Sequence, residues 1–148
     1  MAGGQDVDLT QVTPDQFADL VSGAGDEEIL GTIHAVGTEP TLDRIFKGFE
    51  QRFRPDKATG VNEDIQFVVT DDGSSHPYVV SVRDGTCRTE RAEAEGPKST
   101  LTADLVSFVR LVTGQAEGVQ LFMSGKLKVS GDLMFAQRIM GFFDRPKG

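Results

Sequence analysis

The most informative part of the chain is residues 101–143, which read LTADLVSFVRLVTGQAEGVQLFMSGKLKVSGDLMFAQRIMGFF. Its opening part carries apolar residues at helical spacing, namely Leu105, Phe108, Val109 and Val112. Residues 126–130 alternate between polar and apolar side chains, which predicts a strand. Asp132 can then cap a last helix that is expected to reach Phe143. This part therefore predicts a helix, a short apolar helical turn, a strand and a final helix.

The predicted last helix, residues 132–143, is unusually apolar, because eight of its twelve residues are hydrophobic. A helix on a protein surface normally carries a narrower apolar stripe. We therefore expect this helix to bury most of its circumference, in the core, on a partner or over a cavity that an apolar ligand fills. Met134 and Met140 are unbranched and polarizable, so they suit walls that repack around ligands of varied shape.

Four segments before residue 105 are predicted as strands, and Ile65, Phe67 and Val69 recur with a period of two in the first of them. Residues 65–70 and 78–83 are predicted as neighbouring strands. The Asp-Gly pair at residues 84–85 is a strong signal for a tight hairpin. A third strand over residues 86–92 is polar, so one face of the sheet is expected to meet water. Residues 99–103 are predicted as a fourth strand.

Three helices are predicted before the strands. The first starts at Thr13 with a capping-box pattern, and the second starts with an acidic run at Asp26 and ends at Gly37. The third starts near residues 40–41, carries a regular apolar stripe and is closed by Pro55. Helices, then strands, then helix, strand and helix indicate an α+β fold.

The length of 148 residues predicts a single domain. We expect this domain to span residues 13–145, after a flexible tail over residues 1–12. Within it, residues 13–37 form an N-terminal helical extension.

Charge and hydropathy exclude several function classes. A net charge of −8 disfavours nucleic-acid binding, which depends on Lys and Arg neutralising phosphates. Lys126 and Lys128 are the only tight basic pair near the apolar C-terminal part, far short of a polybasic membrane segment. No apolar run approaches the ~20 residues of a membrane span, so stable insertion into a membrane is not expected.

The cysteine and histidine content disfavours redox and metal chemistry. Cys87 is the single cysteine, so no internal disulfide forms and a reducing compartment is expected. His34 is predicted as a partly buried core residue and His76 as a solvated one, and neither has a neighbour at metal-ligand spacing. We therefore expect no metal site and no cofactor. The polar N-terminus is unlike a signal peptide and the C-terminus is unlike a peroxisomal tripeptide, so a cytoplasmic location is expected.

Residues 125–132, Gly-Lys-Leu-Lys-Val-Ser-Gly-Asp, carry a family signature. An acid-then-apolar helix with a Thr-Gly end precedes them at residues 104–114, and a helix containing Met and Ala follows at residues 133–143. This order resembles the C-terminal half of the sterol carrier protein 2 family, in its stand-alone bacterial type, and a weaker resemblance reaches back to Leu42.

The resemblance implies a five-stranded, mostly antiparallel sheet with helices packed on one side, enclosing an apolar tunnel. It also implies a function without catalysis. The tunnel would bind and transfer an apolar lipid: a sterol, a fatty acid, an acyl-CoA or a phospholipid. No catalytic residues are expected.

Candidate wall residues of the tunnel follow from the helix faces together with this resemblance. They are Phe108, Leu111, Val112, Leu121, Phe122, Met134, Ile139, Met140 and Phe143. Affinity would come from burying the apolar surface of the ligand, at roughly 25 cal/mol per Å².

Two other function classes stay open on the residues alone. A filled core with the apolar last helix as a dimer face would make the chain an interaction or regulatory module, and a homodimer would be its sign. A small cavity enzyme would instead need a buried carboxylate with a raised pKa. Asp104 and Asp132 are the acids at suitable places, but helix capping explains both without catalysis.

Overall fold

A computed structural model describes residues 23–113 and 115–143, apart from the side chain of Met140. The expected tail over residues 1–12, the predicted first helix from Thr13 and the predicted helix end at Gly114 lie outside these ranges. In chain order the elements are α1 (Asp26–Val36), α2 (Thr38–Arg52), β1 (Glu63–Asp71), β2 (Ser74–Arg83), β3 (Thr86–Glu90), β4 (Ser99–Asp104), α3 (Leu105–Val112), α4 (Gly118–Met123), β5 (Leu127–Gly131) and α5 (Leu133–Ile139). Short 3₁₀ turns follow α2 at Pro55–Lys57 and α5 at Met140–Phe142.

The five strands form one sheet in the order β3-β2-β1-β4-β5. Three neighbouring pairs are antiparallel, and β1 with β4 is the parallel pair. Parallel pairing needs a long connection, which the whole β2–β3 hairpin provides here. The expected α+β class with a five-stranded, mostly antiparallel sheet is therefore confirmed.

Two tight turns set the register of the antiparallel strands. Asp72 and Gly73 join β1 to β2, and Asp84 and Gly85 join β2 to β3. All four residues have positive φ, between 53° and 82°. Positive φ at both central positions suits the two-residue hairpin turn whose twist matches that of the strands. The turn predicted from the Asp-Gly pair at residues 84–85 is confirmed.

The core is an aromatic cluster between α2, α3 and one face of the sheet. The ring of Phe46 from α2 stacks on Tyr78 from β2 at 4.3 Å and on Phe108 from α3 at 5.1 Å between centroids. Phe67 from β1 meets Phe46 edge-on at 5.5 Å. Aromatic pairs of this geometry add about 0.5–1.5 kcal/mol each beyond the area they bury. The apolar stripe predicted for α2 is thus the one that joins the helix to the sheet.

Both histidine predictions were wrong. His34 is exposed, and its Nε2 lies 2.9 Å from Oδ2 of Asp71. Ile29 and Ile33 occupy the buried stripe of α1. His34 follows Ile33 directly, so its side chain is turned about 100° away from that stripe. The side chain of His76 is only 14% exposed, and its Nδ1 lies 3.6 Å from Oε2 of Glu39.

The last helix is shorter and less buried than expected. α5 ends at Ile139, and a 3₁₀ turn continues to Phe142. The first turn of α5 is open to solvent, since Leu133 is 49% and Met134 is 76% exposed. The expectation that this helix buries most of its circumference was therefore wrong. The buried stripe holds only Phe135, Ala136 and Ile139.

Candidate functional site

A cavity of about 460 Å³ lies between the helices and the β4–β5 side of the sheet. Its walls come from α3, α4, α5, the two strands, the last residue of α2 and Phe143. Small-molecule sites in proteins typically occupy about 300–1,000 Å³ and are mostly apolar. The size of this cavity falls within that range, and most of its lining side chains are hydrophobic.

The sheet supplies the floor of the cavity through Leu101 of β4 and Leu127 and Val129 of β5. Leu101 lies opposite Val129 in the β4–β5 ladder, so their side chains share one face of the sheet. Gly131 ends β5 with φ of +86°, and a Cβ at this position would stand 2.6 Å from the carbonyl oxygen of Lys98. Glycine is therefore required where the chain leaves the floor and turns into α5.

The helices supply the walls and the mouth. Leu111 and Val112 of α3 are buried and form the inner wall. Val119 and Phe122 of α4 and Leu133 of α5 also line the cavity, yet they are 55%, 47% and 49% exposed. Side chains that line a cavity and also meet solvent mark its opening. The mouth therefore lies between α4 and α5.

Three polar side chains line the cavity: Arg52, Glu117 and Gln137. Arg52 is the last residue of α2, and its guanidinium carbon lies 5.6 Å from the centroid of the Phe49 ring. The lining thus offers a cation, a carboxylate and an amide among apolar groups. A few placed polar groups of this kind fix the orientation of a mainly apolar ligand.

The structure brings four of the nine candidate wall residues to the cavity: Leu111, Val112, Phe122 and Phe143. Phe108, Leu121 and Ile139 are buried in the core but do not line it. Met134 is exposed and lies off the wall, because Leu133, Ala136 and Gln137 form the face of α5 toward the cavity. The side chain of Met140 is outside the described part. The role of all nine in lipid binding stays a prediction.

Sequence reasoning missed several lining residues for two different reasons. Val119 precedes Phe122 by three residues, so helical spacing alone could have assigned it to the same face. The shared face of Leu127 and Val129 was predicted, but nothing in the sequence indicated that it meets a cavity. No local pattern indicated Arg52, since it is the last residue of α2 and lies far in sequence from the other lining residues.

The two acids considered for catalysis are helix caps. Oδ1 of Asp104 accepts a hydrogen bond of 2.9 Å from the backbone N–H of Ser107, and Oδ1 of Asp132 accepts one of 3.0 Å from that of Phe135. The backbone N–H of Phe135 lowers the pKa of Asp132, whereas a general acid needs a raised one. Neither carboxylate lines the cavity.

Metal binding and thiol chemistry find little support among residues 23–113 and 115–143. These ranges contain no cluster of three or more His, Cys, Asp or Glu that could hold a metal ion. Burial raises the pKa of the Cys87 thiol to about 12, and the nearby carboxylate of Glu50 adds to the rise. A protonated thiol is a poor nucleophile. No helix in the same ranges is long and apolar enough to cross a membrane.

Comparison with known proteins identifies related sequences over most of the chain. The family model described as the SCP-2 sterol transfer family matches residues 42–144. The oleate-induced peroxisomal protein POX18 from Candida maltosa is 26% identical over 117 residues, covering 76% of this chain and 91% of that protein.

Solved structures that share the fold include the following two. Apo sterol carrier protein 2 from Yarrowia lipolytica has a TM-score of 0.59 and 22% identity, covering 71% of this chain and 88% of that one. The sec-alkylsulfatase Pisa1 from a Pseudomonas species has a TM-score of 0.64 and 17% identity over 70% of this chain. The match spans only 16% of that enzyme, so it concerns one part of a much longer protein. At these identities the likeness is one of fold.

Proposed function

The chain belongs to the SCP-2 sterol transfer family, and we propose that it binds and transfers one apolar lipid in the cavity between α4, α5 and the β4–β5 floor. The observation that carries this proposal is a mostly apolar cavity of about 460 Å³ whose mouth is open to solvent. A filled core would leave no such space. The proposed carrier performs no chemistry on its ligand.

Burial of apolar ligand surface supplies the affinity, at roughly 25 cal/mol per Å² removed from water. The floor and inner wall suit this role, because Leu101, Leu111 and Leu127 are all buried and carry no polar atoms in their side chains. No directional bond is needed along the hydrocarbon. The cavity can therefore accept acyl chains or a sterol ring system without a fixed register.

The polar lining residues would orient the polar end of the lipid. Arg52 favours an anionic group such as a carboxylate or phosphate, because guanidinium pairs with both. Glu117 disfavours a negative group on its own side, and Gln137 can accept from or donate to a hydroxyl. Sterol, fatty acid, acyl-CoA and phospholipid are the ligand classes that we propose.

A cytoplasmic location, a bacterial type of the family and the absence of catalysis are part of this proposal. The curated relative is named as a peroxisomal protein, so the compartment need not be shared across the family. Localising a fluorescent fusion of the full chain tests the compartment. Assaying the purified chain for hydrolysis of acyl-CoA and of alkyl sulfates tests for catalysis, and we expect no turnover above buffer with either substrate.

The decisive experiment is native mass spectrometry of the purified chain, followed by solvent extraction and lipid identification. We expect about one lipid per chain. Ala136→Trp should block the cavity, because Ala136 is a small buried residue of its lining. Binding of a fluorescent fatty acid should fall at least about tenfold, the loss that follows when bulk displaces buried ligand surface.

Met134→Trp is the matched control, since it adds an indole to the same helix at a position that is 76% exposed and outside the lining. Wild-type chain contains no tryptophan, so each variant also carries a single fluorescent reporter of its own site. Thermal melts show whether both variants are folded. A chain that is purified without lipid and fails to bind the fluorescent fatty acid would contradict the proposal.

A further inference from the structure

Large exposed hydrophobic side chains are concentrated on two short helices. Across residues 23–113 and 115–143 they all belong to α4 or α5: Val119, Phe122, Met123, Leu133 and Met134. We name these five residues the mouth patch. Single exposed hydrophobic residues are normal on a soluble protein, but a cluster of them marks an interaction site. Met123 and Met134 are the most exposed, at 81% and 76%.

The mouth patch is continuous with the interior of the cavity. Val119, Phe122 and Leu133 belong to both, because they line the cavity and are about half exposed. Met123 and Met134 follow directly in sequence on α4 and α5 and do not line the cavity. One exposed methionine thus stands on each of the two helices that border the opening. A lipid that enters or leaves the cavity crosses this surface.

The charge on the two helices differs from that of the rest of the chain. The full sequence carries a net charge of −8, yet neither α4 nor α5 contains Asp or Glu. Arg138 lies four residues after Met134, on the same side of α5. Lys126 lies in the turn that follows α4. Both cations are exposed.

Two acids flank the helices without entering them. Glu117 comes directly before α4, and Asp132 comes directly before α5. Oδ2 of Asp132 lies 3.6 Å from Nζ of Lys98, which offsets its charge. Lys128 adds nothing to the patch, because Leu127 and Val129 face the cavity and the side chain between them faces the other way.

We propose that the mouth patch docks on an anionic phospholipid bilayer, with the cavity opening toward the membrane. The apolar side chains enter the boundary between head groups and acyl chains, to a depth of about 5–10 Å as interfacial helices do. Lys126 and Arg138 meet the anionic head groups. A second copy of the chain fits the patch less well, because standard interfaces take about 20–30 residues from each side and the patch has five.

This inference rests on the proposed function, since a lipid carrier must exchange its ligand with a membrane. Its test is separate, because it measures docking of the protein rather than occupancy of the cavity. The full chain is floated with vesicles of phosphatidylcholine containing 30% phosphatidylglycerol, and with pure phosphatidylcholine vesicles. We expect the chain to float with the anionic vesicles, to bind the neutral ones more weakly, and to bind less when salt is raised.

The double variant Met123→Glu with Met134→Glu should bind the anionic vesicles at least about tenfold more weakly, because it replaces two inserted apolar side chains with repelled charges. The control is Thr32→Glu with Ala35→Glu, which adds the same charge at exposed positions of α1 and should stay within about twofold of wild type. All four positions are exposed, so the fold should persist, which circular dichroism checks.

Native mass spectrometry of the double variant separates this inference from the proposed function. Retained lipid together with lost vesicle binding supports the docking surface. Equal vesicle binding by wild type and the double variant would overturn it, as would the absence of binding to either vesicle. A dimer of wild type that the double variant dissociates, without vesicle binding, would assign the patch to a second copy and would also overturn it.

Discussion

The hydroxyl of Tyr78 donates a hydrogen bond of 2.6 Å to Oδ1 of Asp43, which joins β2 to α2 at the edge of the aromatic core. Nη2 of Arg91 donates to Oδ2 of the same carboxylate, also at 2.6 Å. Burial, reinforced by the bond to Asp43, raises the pKa of Tyr78 well above its ordinary value of 10. The folded chain therefore holds this phenol in its protonated form.

Alkaline unfolding should follow from this linkage. Tyr78 is the single tyrosine, and its pKa is higher in the folded than in the unfolded chain. Its contribution to stability is complete below about pH 10 and is lost as the pH rises through the folded value. We expect phenolate absorbance at ~295 nm to appear together with loss of circular dichroism, as one transition. Ionisation near pH 10 in a chain that stays folded would contradict this.

Cys87 should react slowly with thiol reagents while the chain is folded. Burial, followed by the charge of Glu50, raises its pKa to about 12, so little thiolate is present at pH 8. We expect labelling by a disulfide reagent to be at least about tenfold slower in buffer than in denaturant, where the thiol returns to its usual pKa of about 8.5. Equal rates in buffer and denaturant would contradict this prediction.

Gly131→Ala should destabilise the chain more than Gly125→Ala. Both glycines have positive φ, +86° and +81°, so both substitutions carry similar backbone strain. Only at Gly131 would the new Cβ clash with backbone, 2.6 Å from the carbonyl oxygen of Lys98, whereas nothing lies within 4 Å at Gly125. We expect a loss of about 1–2 kcal/mol at Gly125 and clearly more at Gly131, measured by urea unfolding. Equal losses would contradict the close approach.

Asp71→Asn should lower the free energy of unfolding and make it depend less on pH in the acid range. Burial alone would raise the pKa of Asp71, but hydrogen bonds from His34 and Thr38 outweigh it and lower the pKa below 3.8. Its stabilisation is present above the unfolded value and is lost as the pH falls through the folded one. The variant should lose about 1 kcal/mol at pH 7 and show a shallower fall below pH ~4. Asp72→Asn, in the adjacent turn, is the control.

The local elements could be predicted from the sequence because their signals are local. The two-residue turn at Asp84 and Gly85, the apolar stripe of α2 and the cap at Asp132 each depend on residues within a few positions of one another. The parallel β1–β4 pair has no such signal, since the strands are far apart in sequence. Local patterns indicated five strands, and the family resemblance supplied their assembly into one mostly antiparallel sheet.

The candidate site was predicted less well because it depends on how helices are rotated against the sheet. Leu121 and Phe122 are adjacent, yet only Phe122 lines the cavity, since one helical step turns a side chain by about 100°. Met134 has the side-chain chemistry of a wall that repacks around ligands, but its position along α5 places it outside the wall. Arg52 lines the cavity because α2 packs against Phe143 through the ring of Phe49.

The origin of the cavity walls has a consequence for protein engineering. Of the fourteen lining residues, all except Arg52 come from residues 101–143. One uninterrupted segment thus supplies nearly all of the cavity lining. The helix α2 and the strands β1–β3 supply the scaffold on which it packs. Under the proposed function, a chimera that exchanges this segment between relatives should carry the ligand preference with it. The junctions to match are the parallel β1–β4 ladder and the aromatic contacts of Phe108 with Phe46 and of Phe143 with Phe49.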